Sequence, residues 1–413
     1  MVKAYLHISL IGRIFIGLVI GIILGLTVPH VAAISLLGTI FVGALKSLAP
    51  ILVFFLIMAA LSSQTKRHPG FKLLIGTYLF TNFISALTAA VLVAVLPVMI
   101  TLPHKLTVTQ KAPSDLGKVI SDLITSAVAN PVSALIDGNY LAILFWSVLF
   151  GLALRMASQT TRQMIADGSA MIGNVAQMII ELAPFGVVGL VYAAIGEAGL
   201  KGIAQYGQLV LLLVLAMAVA YLVIYPLMVW VLIHQNPFPL TLWTLKVSGI
   251  PAFFTRSSAV NIPINMEAAH KLDLDESLYA VSIPLGASAN SGGAAITIAL
   301  MALVTAHTVG ISVSLPVVFL LCLLVMVAAT GISGIAGGSL LLIPMAASLL
   351  GIDNATAMQV VGVGFIIGVV QDSVETAVNS ASDLLMTAAV DIHNQQRSGE
   401  HIDINQRIRE LKD

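Results

Sequence analysis

The sequence predicts an all-α integral membrane protein with eight transmembrane helices and two re-entrant helical hairpins. Three observations predict it. Of 413 residues, 58% are hydrophobic and only 9% are charged, where a soluble domain carries about 25% charged residues; the mean hydropathy is +1.02. Apolar runs of spanning length recur through the first half of the chain. From Ser277 to Ile352 there is no Asp, Glu, Lys or Arg, and that stretch is broken by clusters of small polar residues.

A spanning helix needs about 20 apolar residues. Six runs meet that need: Ile8–Val28, Leu36–Leu61, Phe71–Leu102, Tyr140–Met156, Met171–Ile195 and Leu209–His234. The first run is long and is soon followed by another, so it reads as a retained helix rather than a signal peptide. Lys and Arg set orientation. Lys3 and Arg13, then Lys66, Arg67 and Lys72, then Arg155 and Arg162, then Arg397, Arg407, Arg409 and Lys412 all fall on one side if both termini are cytoplasmic. The loop Pro103–Asp137 then faces outward.

Beyond Phe238 the apolar runs shorten. The cluster Phe253–Asn265 follows about 15 mainly apolar residues, too few to cross, which predicts a re-entrant hairpin. Gly286–Ala295 and Ala329–Ser339 predict unwound helix and a second hairpin tip, because exposed backbone at membrane depth is tolerated only inside protein or along a cavity. Two hairpin-plus-helix units of opposite direction would form an inverted repeat, although their residues show no convincing similarity. The expected division is 1–236, six spans that are mostly scaffold; 237–393, a transport core; and 394–413, a polar cytoplasmic tail.

The last apolar segment carries a polar stripe. Asp372, Glu375, Thr376, Asn379 and Asp383 lie at offsets 0, 3, 4, 7 and 11. At about 100° per residue they share a helical face roughly 100° wide. Carboxylates at that depth are costly unless they meet partners or water, so the stripe should face a cavity holding a polar solute, an ion, or both. Net charge is zero, and no nucleic-acid partner is implied. Cys322 is the one cysteine. It excludes an intrachain disulfide and reads as a packing thiol. Lys46, Glu181 and Arg256 read as structural charges, and His234 and His270 as residues at span ends.

These residues resemble the dicarboxylate/amino acid:cation symporter family, with the glutamate-transporter fold, over nearly the whole chain and most densely after Pro251. Within it the chain looks like the bacterial serine/threonine:sodium members. The serine-rich first hairpin tip matches "TRSSAVNIP". The resemblance implies that Ser257 and Ser258 take the substrate carboxylate. The family's unwound seventh helix reads Asn-Met-Asp-Gly-Thr. Here Asn290 is kept, while Gly292 and Ala294 replace the aspartate and threonine that help build an additional sodium site in glutamate transporters. The second tip resembles "GISGIAGGS", with Ala336 in place of a proline. Gly331, Gly334, Gly337 and Gly338 suit a gate there, and Gly334 is expected to touch substrate.

On the last helix the resemblance gives Asp372 the substrate ammonium, with Thr376 beside it, and gives Asn379 the carboxylate. Asp383 becomes a sodium ligand together with backbone oxygens near Gly286, Asn290 and Asn379. A second possible sodium position involves Ser288, Ala329, Thr330 and Ile332. Glu375 replaces an arginine that pairs with acidic substrates, which implies a substrate with a neutral side chain; a hydroxyl would suit Glu375 as acceptor. The implied function is sodium-coupled import of serine and threonine across the bacterial inner membrane, by a homotrimer with elevator-type alternating access. The alternatives are a cation- or proton-coupled carrier of another small neutral or dicarboxylic amino acid, a channel, and an intramembrane serine hydrolase. The hydrolase lacks a base near Ser257, so no enzyme activity is expected.

Overall fold

A computed structural model of the chain describes residues 10–28, 31–62, 70–102, 125, 127–331, 337–400 and 402–411. The described residues are helical, with no strand among them. Helices α1 (Leu10–Thr27), α2 (Ala32–Ser62) and α3 (Phe71–Val95) fall on the first three predicted spans. The third ends at Val95, short of the expected Leu102. Leu96 caps it and Pro97 follows; proline offers no N–H to a helix and pushes its predecessor out of the helical region.

After α4 (Pro131–Asp137), α5 (Tyr140–Leu154) is the fourth expected span. The fifth, Met171–Ile195, is not one helix. It is divided between α6 (Gln159–Ile180) and α7 (Ala183–Val219), which meet at a 53° bend. Pro184 sits in the first turn of α7, where a missing N–H is harmless. At the break Glu181 pairs with Arg13 of α1 at 2.9 Å, so this intramembrane carboxylate is a structural partner. Helix α7 continues through a π turn, Ala220–Ile224, into α8 (Tyr225–Ile233), and the sixth expected span is the later part of that longer rod.

The C-terminal half alternates helix and break. α9 (Phe238–Thr244), a π turn at Leu245–Gly249 and α10 (Ile250–Thr255) form one arm of a hairpin, and α11 (Ser258–Lys271) forms the other, with the turn at Arg256 and Ser257. α12 (Glu276–Ala289) and α13 (Gly292–Thr308) are one span interrupted at Asn290 and Ser291. α14 (Leu315–Ala329) and the 3-10 turn Gly338–Leu342 running into α15 (Ile343–Leu349) flank the expected second hairpin tip, of which residues 332–336 lie outside the described residues. The expected contacts at Ile332 and Gly334, and Ala336, lie outside the described residues. α16 (Asn354–Arg397) carries the polar stripe. The final helix is α17 (Ile404–Glu410). Ile404 and Ile408 are buried, and Gln235 bonds the backbone of both Ile402 and Ile404.

Five described helical stretches are long and apolar enough to cross a bilayer, or six with the bent pair. Large apolar side chains such as Phe15, Ile40 and Leu211 point outward, as a lipid-facing surface requires. Between helices, lipid offers no hydrophobic gain, so close backbone approach by small residues supplies the adhesion. Gly17, Gly21 and Gly25 of α1 do this against α7: a Cβ at Gly17 would lie 2.3 Å from Pro184 O. Helix α3 packs on α13 and α14, while α16 contacts α7, α13 and arms of both hairpins. Every interruption in the C-terminal half therefore lies around α16. Cys322 is fully buried on α14, as a packing thiol should be.

Candidate functional site

All five residues of the α16 stripe are buried. Asp372 lies where the two hairpins meet. Arg256, at the first tip, donates from Nε to Asp372 Oδ2 at 2.6 Å. The Gly337 N–H, at the second tip, donates to Oδ1 at 3.2 Å. Arg256 holds φ 52° and Gly337 φ 71°, a left-handed backbone that favours glycine and is uncommon for arginine. Helical spacing alone does not put Arg256 beside the stripe, and its contact with Asp372 is the main addition from the three-dimensional arrangement.

Ser257 caps α11: its Oγ accepts the Val260 N–H at 3.3 Å. Its hydroxyl thus serves its own helix, and both Ser257 and Ser258 remain partly exposed beside the turn. Thr376 donates to the Asp372 carbonyl at 2.7 Å. Asn379 accepts the Gly293 N–H on Oδ1 at 2.8 Å. That bond fixes the amide orientation and leaves its NH₂ as the end open to an anion.

Glu375 faces a set of neutral donors. Thr297 Oγ1 reaches its Oε2 at 2.7 Å and Ser339 Oγ at 2.8 Å, and Gln371 Nε2 bonds the same oxygen. These three residues come from α13, the second hairpin and α16. They were not anticipated, since Thr297 and Ser339 sit alone among apolar or glycine-rich neighbours.

Around Asp383, Tyr78 of α3 donates to Oδ1 at 2.7 Å, while Oδ2 is buried without a protein partner. Gly286 touches this carboxylate closely enough that a Cβ would fall 1.7 Å from Oδ1. Asn290 donates to Ser382 Oγ at 3.1 Å, and its own Oδ1 is also a buried orphan. Ser382 in turn donates to the Asn379 carbonyl at 3.0 Å. Gly286, Asn290, Asn379 and Asp383 are thus linked in one cluster holding two buried acceptor oxygens. A buried acceptor without a donor calls for a cation or an ordered water. Hard cations such as sodium take oxygen ligands, and as cargo sodium suits this donor set.

Of the second group, Ser288 and Thr330 line one cavity of about 770 Å³ between α2, α3, α5, α6, α12 and α14. Ala329 is buried next to it. The Thr330 hydroxyl donates to Val327 O at 2.6 Å.

Helix α3 brings a second polar stripe that the sequence reading missed. Tyr78, Thr81, Asn82 and Ser85 are all buried. Their offsets, 0, 3, 4 and 7, repeat the α16 pattern, so the same test would have found them. Asn82 donates to Ala289 O at 2.9 Å and accepts the Ser291 N–H at 3.0 Å, tying down both sides of the break between α12 and α13. Ser85 bonds Tyr225 OH at 2.7 Å. A Cβ on Gly292 would meet that Tyr225 oxygen at 2.0 Å, so the space beside Gly292 is filled by this pair.

The described residues thus combine a turn at Arg256 and Ser257, a helix break at Asn290 and Ser291, a buried carboxylate bonded by both Arg256 and Gly337, and a second carboxylate with an orphan oxygen. The chain is also similar to known proteins. The chain is 55% identical over 412 residues to the serine/threonine transporter SstT of Lacticaseibacillus paracasei, covering 99% of this chain and 94% of that one. It is 54% identical to the SstT of Enterococcus faecalis, covering 98% and 96%, and 46% identical to that of Streptococcus thermophilus, covering 96% and 99%. The family model described as the sodium:dicarboxylate symporter family matches residues 10–392, and the chain belongs to that family.

Proposed function

We propose that this chain imports serine and threonine together with sodium. The observation that carries the reading is near full-length identity of 46–55% to proteins named serine/threonine transporters. The stripe supports it: Asp372 suits an ammonium, the free end of Asn379 suits a carboxylate, and Glu375 stands where acidic-substrate members have an arginine. An arginine would pair with a side-chain carboxylate; a glutamate would repel one. Sodium is assigned to Asp383 with oxygens of Gly286, Asn290 and Asn379, and a second position to Ser288, Ala329, Thr330 and Ile332. Ser257, Ser258 and Gly334 complete the substrate contacts from the two tips.

The same reading gives eight transmembrane helices with two inverted hairpin repeats. Residues 1–236 are mostly scaffold, 237–393 the transport core and 394–413 a cytoplasmic segment. The protein is a homotrimer of the bacterial inner membrane with both termini inside. Contact of α3 with α13 and α14, and of α8 with α16, supports counting α3 and the later part of the α7–α8 rod with the moving unit.

The energetics close with a single ion. A zwitterion plus one sodium carries one charge, worth about 2.3 kcal/mol per 100 mV. A tenfold sodium gradient adds about 1.4 kcal/mol. Together these sustain a solute gradient of two to three orders of magnitude, at about 1.4 kcal/mol per tenfold. Radiolabelled serine uptake into proteoliposomes, driven in turn by sodium, lithium and proton gradients, tests the reading. Accumulation above equilibrium with sodium, and recovery of unmodified serine, is the expected result. Uptake that only equilibrates would indicate a channel, and accumulation with protons alone would reject the sodium assignment.

A further inference from the structure

Gln371 is fully buried on α16, one residue before Asp372. Its amide is half satisfied. Nε2 donates to Thr297 Oγ1 at 2.9 Å and to Glu375 Oε2, whereas Oε1 is a buried acceptor with no protein donor. The amide cannot turn over freely. Reversal would set its oxygen against the Glu375 carboxylate, two acceptors face to face, and would break the chain from Gln371 through Thr297 to Glu375. Ser339 donates to the same Glu375 oxygen, so three elements hold this orientation.

The orphan belongs to a residue that borders the substrate position. Gln371, Asp372, Arg256, Gly337 and Gly368 line one small cavity of about 10 Å³, room for about one water. A serine does not fit until the Arg256–Asp372 contact opens. Once it does, a ligand whose ammonium sits on Asp372 lies beside Gln371, which lines the same small space. Glu375 Oε2 already receives three donors and offers little to a further one, whereas Gln371 Oε1 beside it is a buried acceptor that no protein donor reaches.

We propose that Gln371 Oε1 accepts the hydrogen bond of the substrate side-chain hydroxyl, and that Glu375 is the positioning residue that aims it. The inference rests on the serine/threonine reading and deepens it: Gln371 makes the choice of a hydroxylated over an aliphatic amino acid. A site built around a buried acceptor disfavours the analogue that cannot donate to it, because the acceptor is then left unpaired.

Sodium-dependent uptake of labelled serine in proteoliposomes, competed by unlabelled serine, threonine and alanine, tests this. The variants are Gln371→Met, which keeps length and removes the acceptor, and Glu375→Gln, which lets the amide turn over. Wild type should prefer serine to alanine by roughly tenfold or more, and Gln371→Met should remove most of that ratio. Glu375→Gln should reduce it in the same direction. If Gln371→Met fails to insert, Glu375→Gln alone decides. A serine-to-alanine ratio within about twofold of wild type overturns the proposal, even if all affinities fall together, because a role in ammonium binding or packing would act on both ligands. A wild type that prefers neither ligand overturns it as well. Absence of any sodium-dependent serine uptake by wild type refutes the underlying function instead.

Discussion

The α1–α7 interface and the surroundings of α16 are both buried between helices, yet they are made of opposite materials. At α1, Gly17, Gly21 and Gly25 let one backbone lie against another, with Pro184 O and Val188 O directly opposite. Around α16, side-chain oxygens and amides face one another, and several buried acceptors, including Asp383 Oδ2, Asn290 Oδ1 and Gln371 Oε1, have no protein donor. A close-packed interface is complete in itself. A polar seam with open valences at membrane depth is incomplete until a ligand, ion or water enters. That contrast separates the part of the chain that holds shape from the part that handles solutes, and it can be broken experimentally from either side.

The largest effect is expected at Asp372, where both hairpins converge. Asp372→Asn should lower serine uptake by about 100-fold or more, the range for losing one member of a buried charged contact, while the purified protein keeps its elution volume. Near-normal serine binding by this variant would remove Asp372 from the substrate site. Next is Asp383→Asn, which weakens the orphan oxygen cluster; the sodium concentration for half-maximal uptake should rise about tenfold, read from initial rates across a sodium series. Gly286→Ala acts on the same cluster by sterics alone. Its Cβ would fall 1.7 Å from Asp383 Oδ1, and displacing that carboxylate should raise the sodium requirement about fivefold. An unaltered sodium curve for Gly286→Ala would mean that the Asp383 cluster is not where sodium binds.

The smallest functional effect belongs to the glycine seam. Gly17→Leu should cost about 1–3 kcal/mol of stability through overpacking, seen as a lower melting temperature in detergent. The half-saturating concentrations of serine and sodium should stay within about twofold of wild type, since stability and binding are then separate. A large change in either constant would show that the two interfaces are coupled and that the contrast drawn above is too sharp.

Much of this arrangement was legible in the residues. The stripe on α16 needed only helical spacing, and the breaks at Arg256–Ser257 and Asn290–Ser291 fall inside clusters of small polar residues in otherwise apolar sequence. What was missed has physical causes. The bend at Glu181–Leu182 hides inside an apolar run, because a helix break leaves hydropathy unchanged. The α3 stripe is made of neutral Tyr, Thr, Asn and Ser, which weigh little against their apolar neighbours. Thr297, Ser339 and Gln371 become a set only through three-dimensional convergence on Glu375. Arg256 reads as a structural charge in the sequence, and its partner Asp372 lies 116 residues away. The tail reads as a polar segment, and what its composition does not show is that Ile402, Ile404 and Ile408 are buried.

The most direct test is the coupling between the two ligands. If serine at Asp372 and sodium at Asp383 occupy one polar seam, each must raise the affinity of the other by the same factor. Serine binding to purified protein, measured by titration calorimetry from sodium-free to saturating sodium, should tighten by about tenfold or more, and Asp383→Asn should abolish that dependence. Equal serine affinity with and without sodium would contradict it.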